Sequence, residues 1–109
     1  MSDARARYKQ GFQKFAEGQL DEAIELYRQA IDADPELAIA WNGLSMAYRS
    51  KGDLDQAIEA GLKLIEVEPD ESLNYTNLSI LYQNKGMIAE AEEQSALAMK
   101  LEMKGKSEG

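Results

Sequence analysis

The sequence predicts an all-α fold, an α-solenoid of three antiparallel helix hairpins, and three observations carry that prediction. The chain of 109 residues repeats itself at a step of thirty-four, so that Gly52 falls on Gly18 and Gly86, Ala57 on Ala23 and Ala91, and Pro69 on Pro35. Within each unit apolar residues recur at helical spacing, and the stripe Trp41, Leu44, Tyr48 returns as Tyr75, Leu78, Tyr82. Connections of three or four residues between the predicted helices leave room only for antiparallel neighbours. Self-similarity on this scale marks stacked supersecondary units, none of which buries its apolar face alone.

The first helix is expected over residues 4–17, with Tyr8, Phe12 and Phe15 at helical spacing, and Gly18 closes it in the left-handed conformation that a side chain resists. The second opens at Asp21, whose carboxylate is placed to accept from first-turn amides, and turns Ala23, Ile24, Leu26, Tyr27, Ala30 and Ile31 inward. Asp34, preceding Pro35, is pushed out of helical geometry and separates the second helix from the third. The third helix, residues 37–50, is closed by Gly52. The fourth starts at Asp55 and sets Glu59 four residues before Lys63, the favourable order for an ion pair. Pro69 ends that unit, Asp70 or Ser72 is available to cap the fifth helix, and Gly86 closes it. The sixth covers residues 89–103, and the tail 104–109 is expected to fray. Small residues, Gly11, Ser45 and Ser79 on the first helix of each unit and Ala23, Ala57 and Ala91 on the second, stand where paired helices cross closely.

Composition narrows the function. A formal charge of −8 argues against nucleic acid and anionic membrane as partners, since binding phosphates needs clustered Lys and Arg. With neither Cys nor His, the chain lacks thiolates, the usual transition-metal ligands and the commonest general base near neutral pH, so neither a metal nor a cofactor is expected. The N-terminus carries no apolar run of the secretory kind and no stretch is long enough to span a bilayer, which makes a cytoplasmic address the expectation. Carboxylates are plentiful, but Asp53 and Asp55 flank a helix start, and Glu90, Glu92 and Glu93 sit in a first turn. There they complement the helix dipole, so no catalytic residue is assigned.

With Trp41, Leu44, Tyr48, Gly52, Ala57 and Pro69 in the central unit, and Tyr75, Leu78, Tyr82, Gly86, Ala91 and Ala98 in the third, the chain resembles the tetratricopeptide repeat family. The first unit matches with Gly11, Gly18, Ala23, Tyr27, Ala30 and Pro35 and departs at Arg7, Gln10 and Lys14, where a terminal unit faces water. The resemblance implies a single domain over residues 1–109 with repeats at about 4–37, 38–71 and 72–103, wound as a right-handed superhelix that binds a protein or peptide. Its first helices would line a concave groove, offering Arg5, Tyr8, Phe12, Ile39, Asn42, Met46, Arg49, Leu73, Thr76, Asn77, Ile80, Gln83 and Asn84. Phe12, Met46 and Ile80 stand one period apart and would form a continuous ridge bordered by amides, suited to a segment with apolar anchors and acidic flanks. The competing reading is that these residues pack within a tightly wound stack.

One subclass of the family clamps acidic chaperone C-termini with Lys, Asn and Arg. The matching positions here are Tyr8, Phe12, Gly43, Leu73 and Asn77, which cannot supply the donors, so that ligand is not expected. Gly43 is expected to leave the groove wall bare at its centre. At the other end no polar capping helix is expected, and apolar surface near Leu81, Leu97, Leu101 and Met103 is expected to favour self-association as a scaffold through the C-terminal edge. Met87, Met99 and Met103 are expected to fill gaps.

Overall fold

The computed structural model describes residues 3–108, and Met1, Ser2 and Gly109 lie outside them. Six helices follow one another: α1 (Asp3–Ala16), α2 (Leu20–Ala33), α3 (Ala38–Lys51), α4 (Leu54–Val67), α5 (Ser72–Lys85) and α6 (Ile88–Glu108). The second helices begin at Leu20, Leu54 and Ile88, one sequence period apart. Helices pack as the hairpins α1/α2, α3/α4 and α5/α6, and each hairpin lies against the next through α2/α3 and α4/α5.

Glycines end the first helix of every hairpin in the same way. Gly18, Gly52 and Gly86 have φ of 80°, 88° and 85°. At Gly52 the glycine amide donates to Arg49 O at 3.0 Å and the Asp53 amide reaches back to Tyr48 O at 2.9 Å, a pattern repeated at Gly86 and Met87. The second helices end differently. Asp34 is extended, with φ −148° and ψ 92°, because Pro35 excludes the helical region from the residue before it. Trp41 Nε1 then donates to Pro35 O at 2.7 Å, and one period later the Tyr75 hydroxyl donates to Pro69 O at 2.8 Å. The aromatic stripe therefore also ties the second and third hairpins to the loops before them.

The small residues at the crossings do more than leave room. Ser45 Oγ donates to Ala57 O at 2.8 Å and Ser79 Oγ to Ala91 O at 2.7 Å. Gly11 stands at the same place opposite Ala23 O, where an added Cβ would lie 3.3 Å away. Both serines are buried, so Ser45→Ala is expected to cost about 1 kcal/mol, read as a lower urea midpoint with an unchanged slope. The main core runs through Ile24, Tyr27, Leu44, Tyr48, Ile58, Leu78 and Leu81, with the alanines at its crossings completely buried.

Several local expectations are corrected. Helix α2 has Gln19 at its N-cap without a side-chain bond, and Asp21, the second residue of the helix, pairs instead with Lys51 at 2.5 Å. Helix α4 starts at Leu54, capped by Asp53, which accepts from the Gln56 amide at 3.3 Å, while Asp55 pairs with Lys85. The α5 cap position is Glu71, whose side chain bonds nothing there; the junction is held by buried Asn74, which donates to Glu68 O at 3.0 Å. Lys63 lies 3.9 Å from Glu66 rather than pairing with Glu59. The tail is helical as far as Glu108, because Met103 stands where Pro35 and Pro69 break the earlier units and nothing stops the helix. Leu81 is buried at 2% exposure, whereas Met99 and Met103 fill no gap and are exposed on α6.

Candidate functional site

The residues proposed for the groove lie on α1, α3 and α5, whose order in space follows from the stacking of hairpins. On this wall Phe12 is 54% and Met46 46% exposed, Ile39 and Leu73 are exposed, and Ile80 and Tyr8 are half-buried. Arg5, Arg49, Thr76, Asn77, Gln83 and Asn84 are exposed and Asn42 is half-buried. Tyr8 and Phe12 stack with ring centroids 6.3 Å apart, and Asn42 Nδ2 lies 3.7 Å from Met46 Sδ. Gln83 and Thr76 are partly engaged within α5, with Gln83 Nε2 3.5 Å from Ser79 Oγ and Thr76 Oγ1 3.4 Å from Ser72 O.

Tyr27 shapes the wall from behind. Its ring, on α2, enters between α1 and α3, where a Cβ at Gly11 would meet it at 2.8 Å and one at Gly43 at 2.7 Å. It also lies against Tyr8, with centroids 5.7 Å apart. Gly43 therefore does not leave the wall bare: the absent side chain is the space this ring fills. Burial first, and the Tyr8 phenol second, push the Tyr27 pKa up to about 12. One period on, Tyr27 is replaced by Gly61 and the glycines by Ser45 and Asn77. There α3 and α5 stand further apart than α1 and α3, and a hollow of about 170 Å³ opens, lined by Asn42, Ser45, Met46, Arg49, Asn77 and Leu81.

Charge is sorted between the two sets of helices. Helices α1, α3 and α5 hold Arg5, Arg7, Lys9, Lys14, Arg49, Lys51 and Lys85 against one acid, Asp3, a balance of +6. The rest of the chain carries −14, which together gives the formal −8. Lys51–Asp21 and Lys85–Asp55 are equivalent pairs one period apart that link successive hairpins, and Lys14 reaches Glu22 at 3.3 Å. All are exposed and contribute little to stability. Lys51 is held above its ordinary pKa, first by its hydrogen bond to Asp21. Among the described residues Arg5, Lys9 and Arg49 form no ion pair. This segregation is hidden in the overall composition, and becomes legible only when the charges are counted helix by helix.

Other features offer less. A hollow of about 350 Å³ between α2, α3 and α4 has Arg28 committed to the Tyr48 hydroxyl and lying 5.6 Å over its ring. Asp53 and Asp55, a candidate acid–base pair by position, are occupied as a cap and an ion-pair partner. Among the described residues no cluster of acidic side chains is placed to hold a metal, and no helix is long and apolar enough to cross a membrane.

Comparison with known proteins places this geometry. A family model described as tetratricopeptide repeat matches residues 4–72. A search of curated proteins finds no match. Among solved structures the chain is similar to MamA, at 30% identity and a TM-score of 0.93, over 97% of this chain and 62% of that one. It thus spans about three fifths of the MamA chain. It is also similar to the second tetratricopeptide domain of Spaghetti (RPAP3) bound to the HSP90 peptide SRMEEVD, at 23% identity and a TM-score of 0.84, over 91% and 92% of the two chains. The type III secretion translocator chaperone SycD of Yersinia enterocolitica matches at 21% identity and 0.86, over 93% and 76%. The last two likenesses concern the fold alone.

Proposed function

We propose, on the premise that this chain belongs to the tetratricopeptide repeat family, that it is a binding module whose α1, α3 and α5 wall takes a peptide segment of a partner protein. The segment would carry apolar anchors for Phe12, Met46 and Ile80 and acidic flanks for Arg5, Lys9 and Arg49. The observation that carries this reading is the charge sorting: a strongly acidic chain concentrates its cations, several of them unpaired, on the helices that also expose the apolar ridge. Complementary potentials of this kind steer encounter and select partners. A non-catalytic role and a cytoplasmic setting belong to the same proposal, as do the repeat boundaries 4–37, 38–71 and 72–103.

The RPAP3 domain holds an acidic peptide, but Tyr8, Phe12, Gly43, Leu73 and Asn77 offer this chain no equivalent carboxylate clamp. Tyr8 and Phe12 stack on each other and Gly43 faces the Tyr27 ring. The proposed ligand is therefore anchored by apolar side chains rather than by a terminal carboxylate.

Selection from a displayed random-peptide library tests this. Enriched peptides are expected to be acidic with apolar anchors, and the double variant Met46→Gln, Ile80→Gln, with unchanged circular dichroism, to bind them at least about tenfold more weakly. Undiminished binding by the folded double variant would remove the groove reading. A second reading, self-association, is favoured by exposed Ile88, Leu97, Met99 and Met103 on α6. Sedimentation should then show a dimer at high concentration that Met99→Lys abolishes, and a monomer throughout would dismiss it.

A further inference from the structure

We infer that the hollow between α3 and α5 is a subsite for an aromatic side chain of the bound peptide, with an acidic residue next to it in the partner's sequence. The inference rests on the groove reading above and makes it specific. The equivalent place between α1 and α3 is already filled by an aromatic ring, that of Tyr27, lying between Gly11 and Gly43 and against Tyr8. Gly61 occupies the Tyr27 position one period later and contributes no ring. Leu81, where the earlier junction has Ala47, makes up part of the lost volume: it lies 3.9 Å from where a Gly61 Cβ would stand. What remains is the hollow of about 170 Å³, room for one planar ring entering from the groove.

Its rim gives the chemistry of the neighbouring residue. Arg49 is exposed and without an ion pair among the described residues, and neither α3 nor α5 contains an acidic residue. Asn42 and Asn77 add amides on either side. A guanidinium beside an apolar hollow matches an aromatic side chain followed by a carboxylate, the ring stacking or inserting while the carboxylate meets Arg49.

The test uses the isotope-labelled full chain and three capped peptides, acetyl-Gly-Phe-Glu-Gly-amide and its Ala-for-Phe and Gln-for-Glu counterparts, titrated by amide shifts. The Phe-Glu peptide is expected to move Asn42, Ser45, Asn77 and Leu81 and to bind roughly tenfold more tightly than the Ala counterpart, the order expected for burying one aromatic side chain. Asn77→Phe, which places a ring at an exposed position of the hollow's own lining, should abolish that preference. Should Asn77→Phe fail to fold, Arg49→Gln at its exposed position decides instead, and is expected to erase the preference for Glu over Gln. Equal affinities for Phe and Ala peptides, with shifts still on α1, α3 and α5, would overturn the subsite and leave the groove reading standing. Shifts confined to α2, α4 and α6 would overturn both.

Discussion

Tyr27→Ala should bring the chain close to unfolding, at a cost of about 3–5 kcal/mol for a buried aromatic ring. Domains of this size have about 5–15 kcal/mol in total, and each kcal/mol moves the melting temperature by about 4–8 °C, so a fall of about 12 °C or more is expected by differential scanning calorimetry. The reason is position: this ring, only 1% exposed, joins α1, α2 and α3 at once. A contrast sharpens the prediction. Gly43→Ala in the wild type drives a Cβ to 2.7 Å from the Tyr27 ring and should destabilise by about 1–3 kcal/mol. In the Tyr27→Ala background the clash is gone, and the same change should stabilise, since Ala is the better helix former by about 1 kcal/mol. An effect of equal sign and size in both backgrounds would mean that the ring does not occupy the space at Gly43.

Alkali should weaken the fold through the same residue. The Tyr27 pKa is raised to about 12 from an ordinary 10, so the folded chain keeps a proton that the unfolded chain releases above pH 10. Stability from this group is complete below pH 10 and is lost as pH rises through 12, by about 3 kcal/mol in all. Comparison with Tyr27→Phe isolates the phenol from every other group that alkali deprotonates. The phenylalanine variant keeps every lysine and should lack the phenol's share of the decline. Parallel stability curves for the two proteins between pH 9 and 12 would contradict the assignment.

What could be read from the sequence was whatever depends on neighbours in the chain. Gly18, Gly52 and Gly86 close helices because the next turn needs a left-handed residue, and Pro35 and Pro69 stop them because a ring excludes helical geometry one residue earlier. The Ser45 and Ser79 crossings were visible as small residues at one register, although not as hydrogen bonds to Ala57 and Ala91. Caps were misplaced where two carboxylates compete within a turn: Asp53 and Asp55 are both suitable by type, and only the backbone start at Leu54 decides between them. The bare centre expected at Gly43 was wrong because the side chain that fills it arrives from another helix, sixteen residues earlier in sequence. The Gly61 hollow went unnoticed for the same reason, although comparing Tyr27, Gly61 and Ser95 at one register position shows the change that makes it.

Phe12, Met46 and Ile80 were chosen by register, and of the three Phe12 and Met46 are exposed while Ile80 is half-buried. The claim on which the account turns is that the wall of first helices, rather than any other surface, receives the partner. Amide-shift mapping of the strongest peptide from the library selection, titrated into labelled protein, tests it most directly. Saturating shifts are expected at Phe12, Asn42, Met46, Arg49 and Asn77, with affinity that falls as salt rises. Shifts gathered on α2, α4 and α6, or binding indifferent to salt, would contradict it.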